Sequence, residues 1–446
     1  MPEISNSADE PAASQQLNLQ DALELALKLH QANEFEAAES IYRQLLELEP
    51  ENADLLHFFG LLRHQRGYRE EGAAWINKAL ELAPDYLDAH NNLGNIFLQT
   101  GHPDLAEPCF RRVLELNPDF VTVYGNLGIA LRQLDRYDEA IDYFLQAIAL
   151  EPREAHHYQN IGNAYRSLKQ FRQAVGSYRK SLELQPLNPE AYKRLVMTFF
   201  IMGEIESCVE VLNQWLELEP ENPTALHLHA AYTGGTAPAR ASDDYVRQTF
   251  DGFAASFDGV LKRLDYRAPF LVQAALQRLN PDPSIWRLLD AGCGTGLCGA
   301  LVRPLVKHLA GVDLSPKMLE HAQVRGVYDV LFEAELTRFF AQAEAAYEAI
   351  SCVDTFCYFG DLSAAVAAAV KALQPGGWFV FTLEELTGEA EAGFHLEKHG
   401  RYSHTEAYIR KILADAGFRI IALDKDVLRK EGLAQVRGLV VTAQLA

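Results

Sequence analysis

The residues best suited to chemistry lie in one short stretch from Leu288 to Gly299, which reads LLDAGCGTGLCG. Its glycines match two different loops that bind nucleotide cofactors. Gly294, Gly296 and Gly299 form the G-x-G-x-x-G turn, in which a helix N-terminus binds the pyrophosphate of a dinucleotide. The same stretch reads D-x-G-x-G-x-G from Asp290 to Gly296. A carboxylate at that point repels a pyrophosphate and tolerates a ligand that carries positive charge.

Three further motifs follow the glycine loop in a fixed order. GVDLSPKML places Asp313 at the end of a second apolar run, FEAELTRFF contains Glu335, and LQPGGWFVF precedes another apolar run. Together with the D-x-G-x-G-x-G loop, these motifs resemble those of class I S-adenosylmethionine-dependent methyltransferases over roughly residues 240–446. Gly299 is then interpreted as a glycine that lets a helix pack closely on a strand, so the dinucleotide match is coincidental.

This resemblance implies a set of cofactor contacts. Asp313 takes both ribose hydroxyls, and Glu335 stands where the family commonly has an aspartate that accepts the adenine amino group. Asp354 closes the pocket after the fourth strand. The other implied contacts are the loop residues Asp290, Gly292, Gly294 and Gly296, with Leu314 and Met318 packed on the adenine.

The stretch YVRQTFDGFAASFDGVLKRLDYRAP resembles the helices that precede the core in a subgroup of small-molecule and biotin-pathway methyltransferases. That similarity implies that Tyr245 and Arg267 close over the carboxylate of the cofactor. The alternative for these two residues is ordinary helix packing and a surface charge.

The sulfonium supplies an electrophilic methyl group, so a base is needed only when the nucleophile carries a proton. The candidates are Asp354 and Tyr358 in VDTFCYFG, and His395, His399, Tyr402 and His404 in FHLEKHGRYSH. Each has a structural alternative, since Asp354 can simply close the cofactor pocket and a loop histidine is commonly solvated. The sequence has no Asn-Pro-Pro-Tyr run after the fourth strand, which leaves carboxylate, hydroxyl, small-molecule or protein side-chain acceptors.

These residues need a sheet to position them, and the second half of the chain predicts one. Short apolar runs alternate with helices, which indicates a parallel sheet covered on both faces. The last two runs are joined without a helical pattern and are expected to pair as an antiparallel hairpin. The predicted domain is Rossmann-like α/β with a mostly parallel seven-stranded sheet, over residues 242–446 with its core at 285–446.

The first half is organised differently, because prolines recur every 34 residues at Pro50, Pro84, Pro118, Pro152, Pro186 and Pro220. A fixed period of this size indicates stacked helical units. Small residues also recur in both helices of each unit, as at Gly94 and Ala106, followed by a large knob such as Phe110. The units resemble tetratricopeptide repeats. The predicted all-α solenoid covers residues 19–232, with about six repeats and a capping helix, between a disordered lead at 1–18 and a linker at 233–241.

That resemblance implies a concave face that binds protein segments. Asn92, Asn126 and Asn160 stand 34 residues apart, and side-chain amides can hydrogen-bond to a peptide backbone. Alternatively, these amides bond to neighbouring helices. The predicted partner is a protein or peptide.

The composition limits which partners and which kinds of site the chain can have. The net charge is −21 and most of the acid excess lies in the first half, which argues against a nucleic-acid partner. Six scattered cysteines without a C-x-x-C pair suggest neither a disulfide framework nor a metal site, and fit a reducing cytoplasm. No apolar run is long enough to cross a membrane.

The complete arrangement resembles a group of bacterial predicted methyltransferases that carry tetratricopeptide repeats. It implies S-adenosylmethionine-dependent methyl transfer to a small molecule or to a protein recruited by the repeats. The alternative is an interaction scaffold whose methyltransferase-like domain binds the cofactor without turnover.

Overall fold

The computed structural model describes residues 18–446 except 235–236, 280–281, 283–284, 389 and 432–433. The chain forms two compact units, Met1–Cys208 and Val209–Ala446. The predicted lead at 1–18 lies outside the described residues apart from Asn18, whose side chain caps the first helix. Part of the predicted linker at 233–241, residues 235–236, is also outside them.

The repeat region consists of paired helices of 13 or 14 residues. They are α1 Leu19–Gln31, α2 Phe35–Leu48, α3 Ala53–Gln65, α4 Arg69–Leu82, α5 Leu87–Gln99, α6 Pro103–Leu116, α7 Val121–Gln133, α8 Tyr137–Leu150, α9 Ala155–Ser167, α10 Phe171–Leu184, α11 Pro189–Met202 and α12 Ile205–Leu218. The predicted all-α solenoid is confirmed.

Close packing of the two helices of a repeat explains its small residues. A Cβ added to the glycine of the first helix would lie within 2.5–2.7 Å of the knob on the second helix. The pairs are Gly60 with Ile76, Gly94 with Phe110, Gly128 with Phe144, and Gly162 with Tyr178. All four knobs are fully buried, so a larger residue in the small position would force the helices apart.

The turn inside each repeat adopts a left-handed backbone conformation at the same position. The φ angles lie between 60° and 90° at Asn33, Gly67, Gly101, Asp135, Lys169 and Gly203. Five of these residues follow the first helix of their repeat by two positions, Gly203 follows its helix directly, and the left-handed step ends each helix. Glycine occupies only half of these positions, so the other repeats carry local backbone strain.

The second unit alternates helices and strands. Its helices are α13 Pro223–Thr233, α14 Asp243–Phe253, α15 Phe257–Arg263, α16 Ala268–Arg278, α17 Leu297–Val302, α18 Pro316–Arg325, α19 Leu336–Gln342, α20 Ser363–Ala372 and α21 Glu406–Asp415. Its strands are β1 Arg287–Ala291, β2 His308–Asp313, β3 Val330–Glu333, β4 Tyr347–Cys352, β5 Leu373–Glu385, β6 Phe394–Leu396, β7 Tyr402–His404, β8 Phe418–Glu431 and β9 Ala434–Leu445.

The strands form one sheet in which β3, β2, β1, β4 and β5 are parallel neighbours. β9 pairs antiparallel with both β5 and β8. The predicted α/β fold, its mostly parallel sheet and its closing hairpin are therefore confirmed. The short strands β6 and β7 were not predicted, and they extend the sheet where Ser403 of β7 pairs with Glu384 at the end of β5.

Alternating side chains of β5 build both halves of the core. Phe379 and Phe381 pack into one buried cluster, and Val380 packs into a second cluster with Leu288 and Val440. Successive residues of a strand point to opposite faces, so both faces of this strand are covered. This agrees with the prediction of a sheet buried on both sides.

The segment predicted to cap the solenoid is helix α13, within the second unit. His227 of this helix donates from Nε2 to the carbonyl of Gly400 at 2.8 Å, and its ring stacks on Tyr245 of α14 at 4.0 Å. The helix is thus attached to the sheet unit, and its capping role remains a prediction.

Candidate active site

A cavity lies where the carboxyl ends of β1, β2, β3 and β4 meet. The loops after these strands contribute Gly292, Asp313, Glu335 and Asp354 to its wall. Helices α14 and α15 supply a second wall of apolar side chains, listed as Val246, Phe250 and Phe257. Ligand sites in such sheets are expected at this edge, because the strand order changes direction there.

The glycine loop is held by backbone hydrogen bonds to β2. The N–H groups of Gly292 and Cys293 both donate to the carbonyl of Val312, at 2.8 and 3.1 Å. Gly292 has a φ of 72°, and a Cβ there would lie 2.0 Å from the hydroxyl oxygen of Thr355. The position therefore needs glycine for both its conformation and its close approach to the loop after β4.

The other glycines have separate roles. Gly294 lines the cavity and donates its N–H to a carboxylate oxygen of Asp313 at 2.8 Å. Gly296 precedes helix α17 in a left-handed conformation. A Cβ at Gly299 would lie 2.2 Å from the hydroxyl oxygen of Tyr328, which agrees with the prediction that this glycine serves close packing.

Asp290 lies behind the glycine loop and is not among the residues that line the cavity. Its carboxylate accepts hydrogen bonds from the hydroxyls of Tyr328 at 2.8 Å and Ser351 at 3.1 Å. Burial raises the pKa of Asp290 to about 6, although these hydrogen bonds lower it. Asp290 thus supports the loop through its hydrogen bonds to Tyr328 and Ser351, and its contact with a cofactor stays a prediction.

Asp313 lies on the cavity wall at the end of β2. Its carboxylate accepts the backbone N–H groups of Gly294 at 2.8 Å and Ser315 at 2.9 Å. Burial raises its pKa, and these hydrogen bonds oppose the rise. Leu314 also lines the cavity, whereas Met318 is buried in α18 and does not.

Glu335 lines the cavity, but its carboxylate is already engaged. Its two oxygens accept the backbone N–H groups of Thr337 and Arg338, each at 3.0 Å, and so cap helix α19. An acid at the start of a helix is stabilised by the helix dipole. The helix therefore orients this side chain, and each carboxylate oxygen keeps a second lone pair that can accept a further hydrogen bond.

Asp354 and Tyr358 are the two predicted catalytic candidates that reach the cavity. Asp354 has a φ of 48° and accepts hydrogen bonds from Thr382 at 3.0 Å and from Arg429 at 2.8 Å. Burial raises the pKa of Asp354, and the charge of Arg429 opposes this. Burial raises the pKa of Tyr358 well above its usual value, so its hydroxyl stays protonated at neutral pH.

A buried ion network behind Asp354 was not predicted from the sequence. Arg429 contacts Asp354, Glu384 and Glu431, and Arg401 contacts the same two glutamates at 2.6 Å each. The side chains of Arg429 and Glu384 are only 6% and 7% exposed. The charges of Arg401 and Arg429 lower the pKa of Glu384 although burial alone would raise it, so the network stays ionised.

The predicted histidine candidates do not reach the cavity. His395 is exposed on β6, and His399 lies 3.6 Å from Glu384 through Nε2. His404 is fully buried and donates from Nε2 to the carbonyl of Gly360 at 3.0 Å, and burial lowers its pKa to about 4. Tyr402 is buried as well, with its hydroxyl bonded to the carbonyl of Pro238 at 2.8 Å. These side chains therefore secure the β6–β7 hairpin.

Tyr245 and Arg267 are also absent from the described lining of the cavity. Tyr245 is buried against His227, and Arg267 forms an ion pair with Asp426 at 2.8 Å. The cation that does line the cavity is Arg240, which bonds to Asp243 at 2.6 Å. No motif pointed to Arg240, since it lies in the predicted linker.

The charge of the cavity is asymmetric. Among the described residues, its charged lining consists of the carboxylates of Asp313, Glu335 and Asp354 and the guanidinium of Arg240. Asp354 is paired with Arg429, Glu335 with Arg338 and Arg240 with Asp243, so Asp313 is the lining carboxylate that has no ion pair within this set. The rest of the lining is largely apolar or aromatic. Such a wall favours a ligand with a cationic centre and opposes a dianionic pyrophosphate.

In the solenoid, the predicted asparagine ladder is partly occupied by internal contacts. Asn92 bonds to Nε2 of His57 at 2.9 Å, and Asn126 donates to the side chain of Asn95 at 2.9 Å. Two of the three amides thus link neighbouring helices. Asn160 has no side-chain hydrogen bond in the described part of the chain.

The described residues hold neither a metal-binding cluster nor a helix suited to a membrane. They contain no group of three or more His, Cys, Asp or Glu side chains placed to hold a metal ion. Within the same residues, no helix has both the length and the apolar character needed to span a membrane.

Family models match both parts of the chain. A methyltransferase domain matches residues 261–423, and tetratricopeptide repeats match residues 23–86, 91–155 and 155–186.

Curated relatives match the second part. Methyltransferase-like protein 27 from Homo sapiens is 44% identical over 84 residues, which is 18% of this chain and 34% of that protein. Ubiquinone biosynthesis O-methyltransferase from Xylella fastidiosa is 29% identical over 160 residues, or 32% of this chain and 62% of that protein. The chain thus spans about one third and three fifths of the lengths of these two relatives.

Solved structures match the repeat region. PilF from Pseudomonas aeruginosa is 17% identical with a TM-score of 0.40, covering 48% of this chain and 96% of that one. MamA from Desulfovibrio magneticus is 19% identical with a TM-score of 0.37, covering 38% of this chain and 97% of that one.

Proposed function

From a chain that combines tetratricopeptide repeats with a methyltransferase domain, we propose that the second unit transfers a methyl group from S-adenosylmethionine to an acceptor bound in the cavity. One observation carries the proposal. The glycine loop and Asp313 meet in a cavity whose charged lining is three carboxylates and one guanidinium. That charge pattern suits a sulfonium and disfavours a dinucleotide.

The residues of the cavity fit this cofactor in a specific way. Asp313 would bind the ribose hydroxyls, Leu314 would pack on the adenine, and the backbone at Gly292 and Gly294 leaves room for the ligand. Arg240, rather than Arg267, has the charge and the location to pair with the carboxylate of the methionine tail. When bound, the cofactor supplies an electrophilic methyl group.

The remaining wall of the cavity favours one chemical class of acceptor. This wall is built from apolar and aromatic side chains, which exclude water and favour a small acceptor with an apolar or aromatic body. These side chains are Val246, Phe250, Phe257, Tyr266, Tyr358 and Phe359. Orienting such an acceptor in line with the methyl group is the main contribution that the protein must make.

Asp354 is the proposed proton acceptor when the nucleophile is protonated. It lines the cavity, and burial raises its pKa, which makes it a stronger base than an ordinary aspartate. Tyr358 is the proposed hydrogen-bond donor, because its hydroxyl stays protonated. His395 and His404 are not assigned a role, since neither reaches the cavity.

The solenoid is proposed to recruit a protein partner, either as substrate or as carrier of one. We also propose a cytoplasmic location, since the six cysteines are scattered along the chain without a C-x-x-C pair, which fits a reducing compartment.

Titration calorimetry tests the cofactor assignment. We expect S-adenosylmethionine to bind and NAD not to bind. Asp313→Asn should weaken S-adenosylmethionine binding at least tenfold, because an amide offers one acceptor oxygen where the carboxylate offers two. Asp415→Asn, at an exposed position of α21, serves as the matched control and should bind like the wild type.

Tighter binding of NAD, or no binding of S-adenosylmethionine, would contradict the assignment. Incubation with a labelled methyl donor and cell extract then separates the enzyme from a scaffold. Tight cofactor binding without any transferred label would favour the scaffold.

A further inference from the structure

One position of the solenoid changes its chemistry along the repeats. Residues 30, 64, 98, 132 and 166 occupy the same place near the end of the first helix of each repeat. They are His30, His64, Leu98, Arg132 and Arg166. In the first two repeats, the histidine bonds through Nε2 to a glutamine of the next repeat, at 3.0 Å in one case and 2.9 Å in the other. One ring nitrogen of each histidine is therefore bonded within the solenoid, while Nδ1 of His64 is buried without a partner among the described residues.

The two arginines break this pattern. Arg132 and Arg166 are half-buried, and neither has an acidic side chain within 4.0 Å among the residues described. Nε of Arg166 is buried without a hydrogen-bond partner in the same set, as Nε of Arg63 is, while the Arg166 side chain also bonds to Tyr178. Arg63, Arg111 and Arg136 of the same solenoid all form ion pairs with glutamates. Half-buried guanidiniums without a counter-charge are costly unless a ligand supplies one.

A third guanidinium increases the charge at this place. Arg194 stands 34 residues after Asn160 and so takes the ladder position in the next repeat. It pairs with Glu190 of its own helix at 2.7 Å. Burial and then the charge of Arg194 lower the pKa of Arg132, with a further contribution from Arg166. The three arginines therefore repel one another, and only one of them is neutralised.

The charge distribution of the solenoid is most basic in the segment that contains Arg166 and Arg194. Residues 151–200 contain eight lysines and arginines against four aspartates and glutamates. Residues 1–150 contain ten against twenty-five. A long nucleic-acid backbone would be repelled by the acidic remainder, whereas a short acidic segment would meet only the basic part.

We propose that Arg132, Arg166 and Arg194 form a binding site for an acidic peptide segment of a partner protein. Guanidinium groups bind carboxylates in a bidentate geometry, which gives such a site direction as well as charge. Packed helices lie about 8–10 Å apart, so Arg132 and Arg166 suit two carboxylates separated by two or three residues of extended chain, at about 3.3 Å per residue. The site is independent of methyl transfer, because it needs no group of the cavity.

Fluorescence anisotropy on the full chain tests this proposal. The probe is a fluorescein-labelled twelve-residue peptide in which glutamate and serine alternate, compared with the same peptide carrying glutamine for glutamate. We expect the glutamate peptide to bind and the glutamine peptide not to bind. R132Q and R166Q should each weaken binding at least tenfold, while R153Q, at an exposed arginine of the same basic region, should change it less than twofold.

Thermal unfolding of each variant verifies that the solenoid is intact, and R166K gives a second variant that keeps the charge but loses the bidentate geometry. Several results would overturn the proposal. These are no binding of the glutamate peptide, wild-type binding by R132Q and R166Q, or an equal loss in R153Q. Tighter binding of a single-stranded DNA oligomer of equal charge would instead identify a site for nucleic acid.

Discussion

The solenoid and the sheet unit assemble their polar groups over different distances along the chain. In the solenoid, His30 reaches Gln65 of the next repeat, 35 residues away. In the sheet unit, Arg429 joins Asp354, 75 residues earlier, to Glu384, 45 residues earlier. In the solenoid, the contact joins neighbouring repeats. In the sheet unit, the contacts join strand ends that lie far apart in the sequence.

This difference predicts how far the destabilising effect of a substitution extends through each unit. A repeat contacts its neighbours, so the loss of one buried side chain should remain close to its origin. A group at the edge of the sheet holds several loops at once, so its loss should reach the cofactor cavity. Four measurements test this contrast, beginning with the largest effect.

Phe144→Ala should destabilise the solenoid most. Phe144 is fully buried against Gly128, and removal of a buried phenylalanine ring costs about 3–5 kcal/mol. Hydrogen exchange should show lost protection in α7, α8 and the adjacent helices, with unchanged protection in β1 to β5. Leu145→Ala, at a side chain 47% exposed, should change stability by no more than about 0.5 kcal/mol. Equal loss of protection in the sheet would contradict the local behaviour.

Arg429→Met should have a wider effect. It removes a buried guanidinium and leaves Asp354 and Glu384 with less counter-charge, at a cost of about 3 kcal/mol. We expect faster hydrogen exchange in the loop after β4 and at the ends of β5 and β8, together with weaker cofactor binding. Arg419→Met, at an exposed position of the same strand, is the control. Cofactor affinity equal to that of the wild type would show that the network does not support the cavity.

A pH titration examines a buried group of the sheet unit that has no counterpart in the solenoid. Burial raises the pKa of Asp290 to about 6, so the folded form binds a proton that the unfolded form lacks between about pH 4 and 6. The contribution of Asp290 to the free energy of unfolding should therefore rise by about 1 kcal/mol when the pH falls from 7 to 5. Asp290→Asn should remove this increment, measured by denaturant unfolding at the two pH values.

Asp415→Asn should retain the full increment. The pKa of Glu384 is lowered, so its contribution to stability depends on pH in the opposite direction. That contribution is lost as the pH falls and the carboxylate is protonated. An increment that is unchanged in Asp290→Asn would assign it to other groups.

The smallest effect concerns the turns of the solenoid. Lys169 has a φ of 60° where other repeats have glycine. Lys169→Gly should stabilise the solenoid by up to about 1 kcal/mol, because relief of the left-handed strain exceeds the entropy that glycine loses on folding. Lys180→Gly, inside α10, should destabilise it by about 1 kcal/mol. Thermal unfolding of both variants measures the difference, and a loss of stability in Lys169→Gly would remove the strain argument.

The same contrast explains how much the sequence could predict. The repeats were predictable because their signals are local, as in the recurring proline and the small residue that faces a knob, such as Gly128 and Phe144. The strands of the parallel sheet were predictable as apolar runs. The sequence also indicated that Asp313 and Asp354 would reach the same edge, since both follow parallel strands.

Other features depend on pairing between distant segments, for which a single sequence carries no signal. Strands β6 and β7 have three residues each, and their place is set by the pairing of Ser403 with Glu384. The partners of Arg429 lie on three different segments. His404 was a candidate base because it was expected to face the carboxyl ends of the strands, but burial and its bond to Gly360 give it a structural role.

The pairing of β5 with β9 has a consequence for synthesis of the protein. Trp378 lies opposite Gln444, so β5 lacks one neighbour until β9 has been made. Translation adds about 5–20 residues per second, and each repeat can form its contacts soon after it emerges from the ribosome. During that interval β5 presents an unpaired apolar edge, the kind of surface that invites association between nascent chains. The sheet unit, and not the solenoid, is therefore where a chaperone that binds translating ribosomes would be needed.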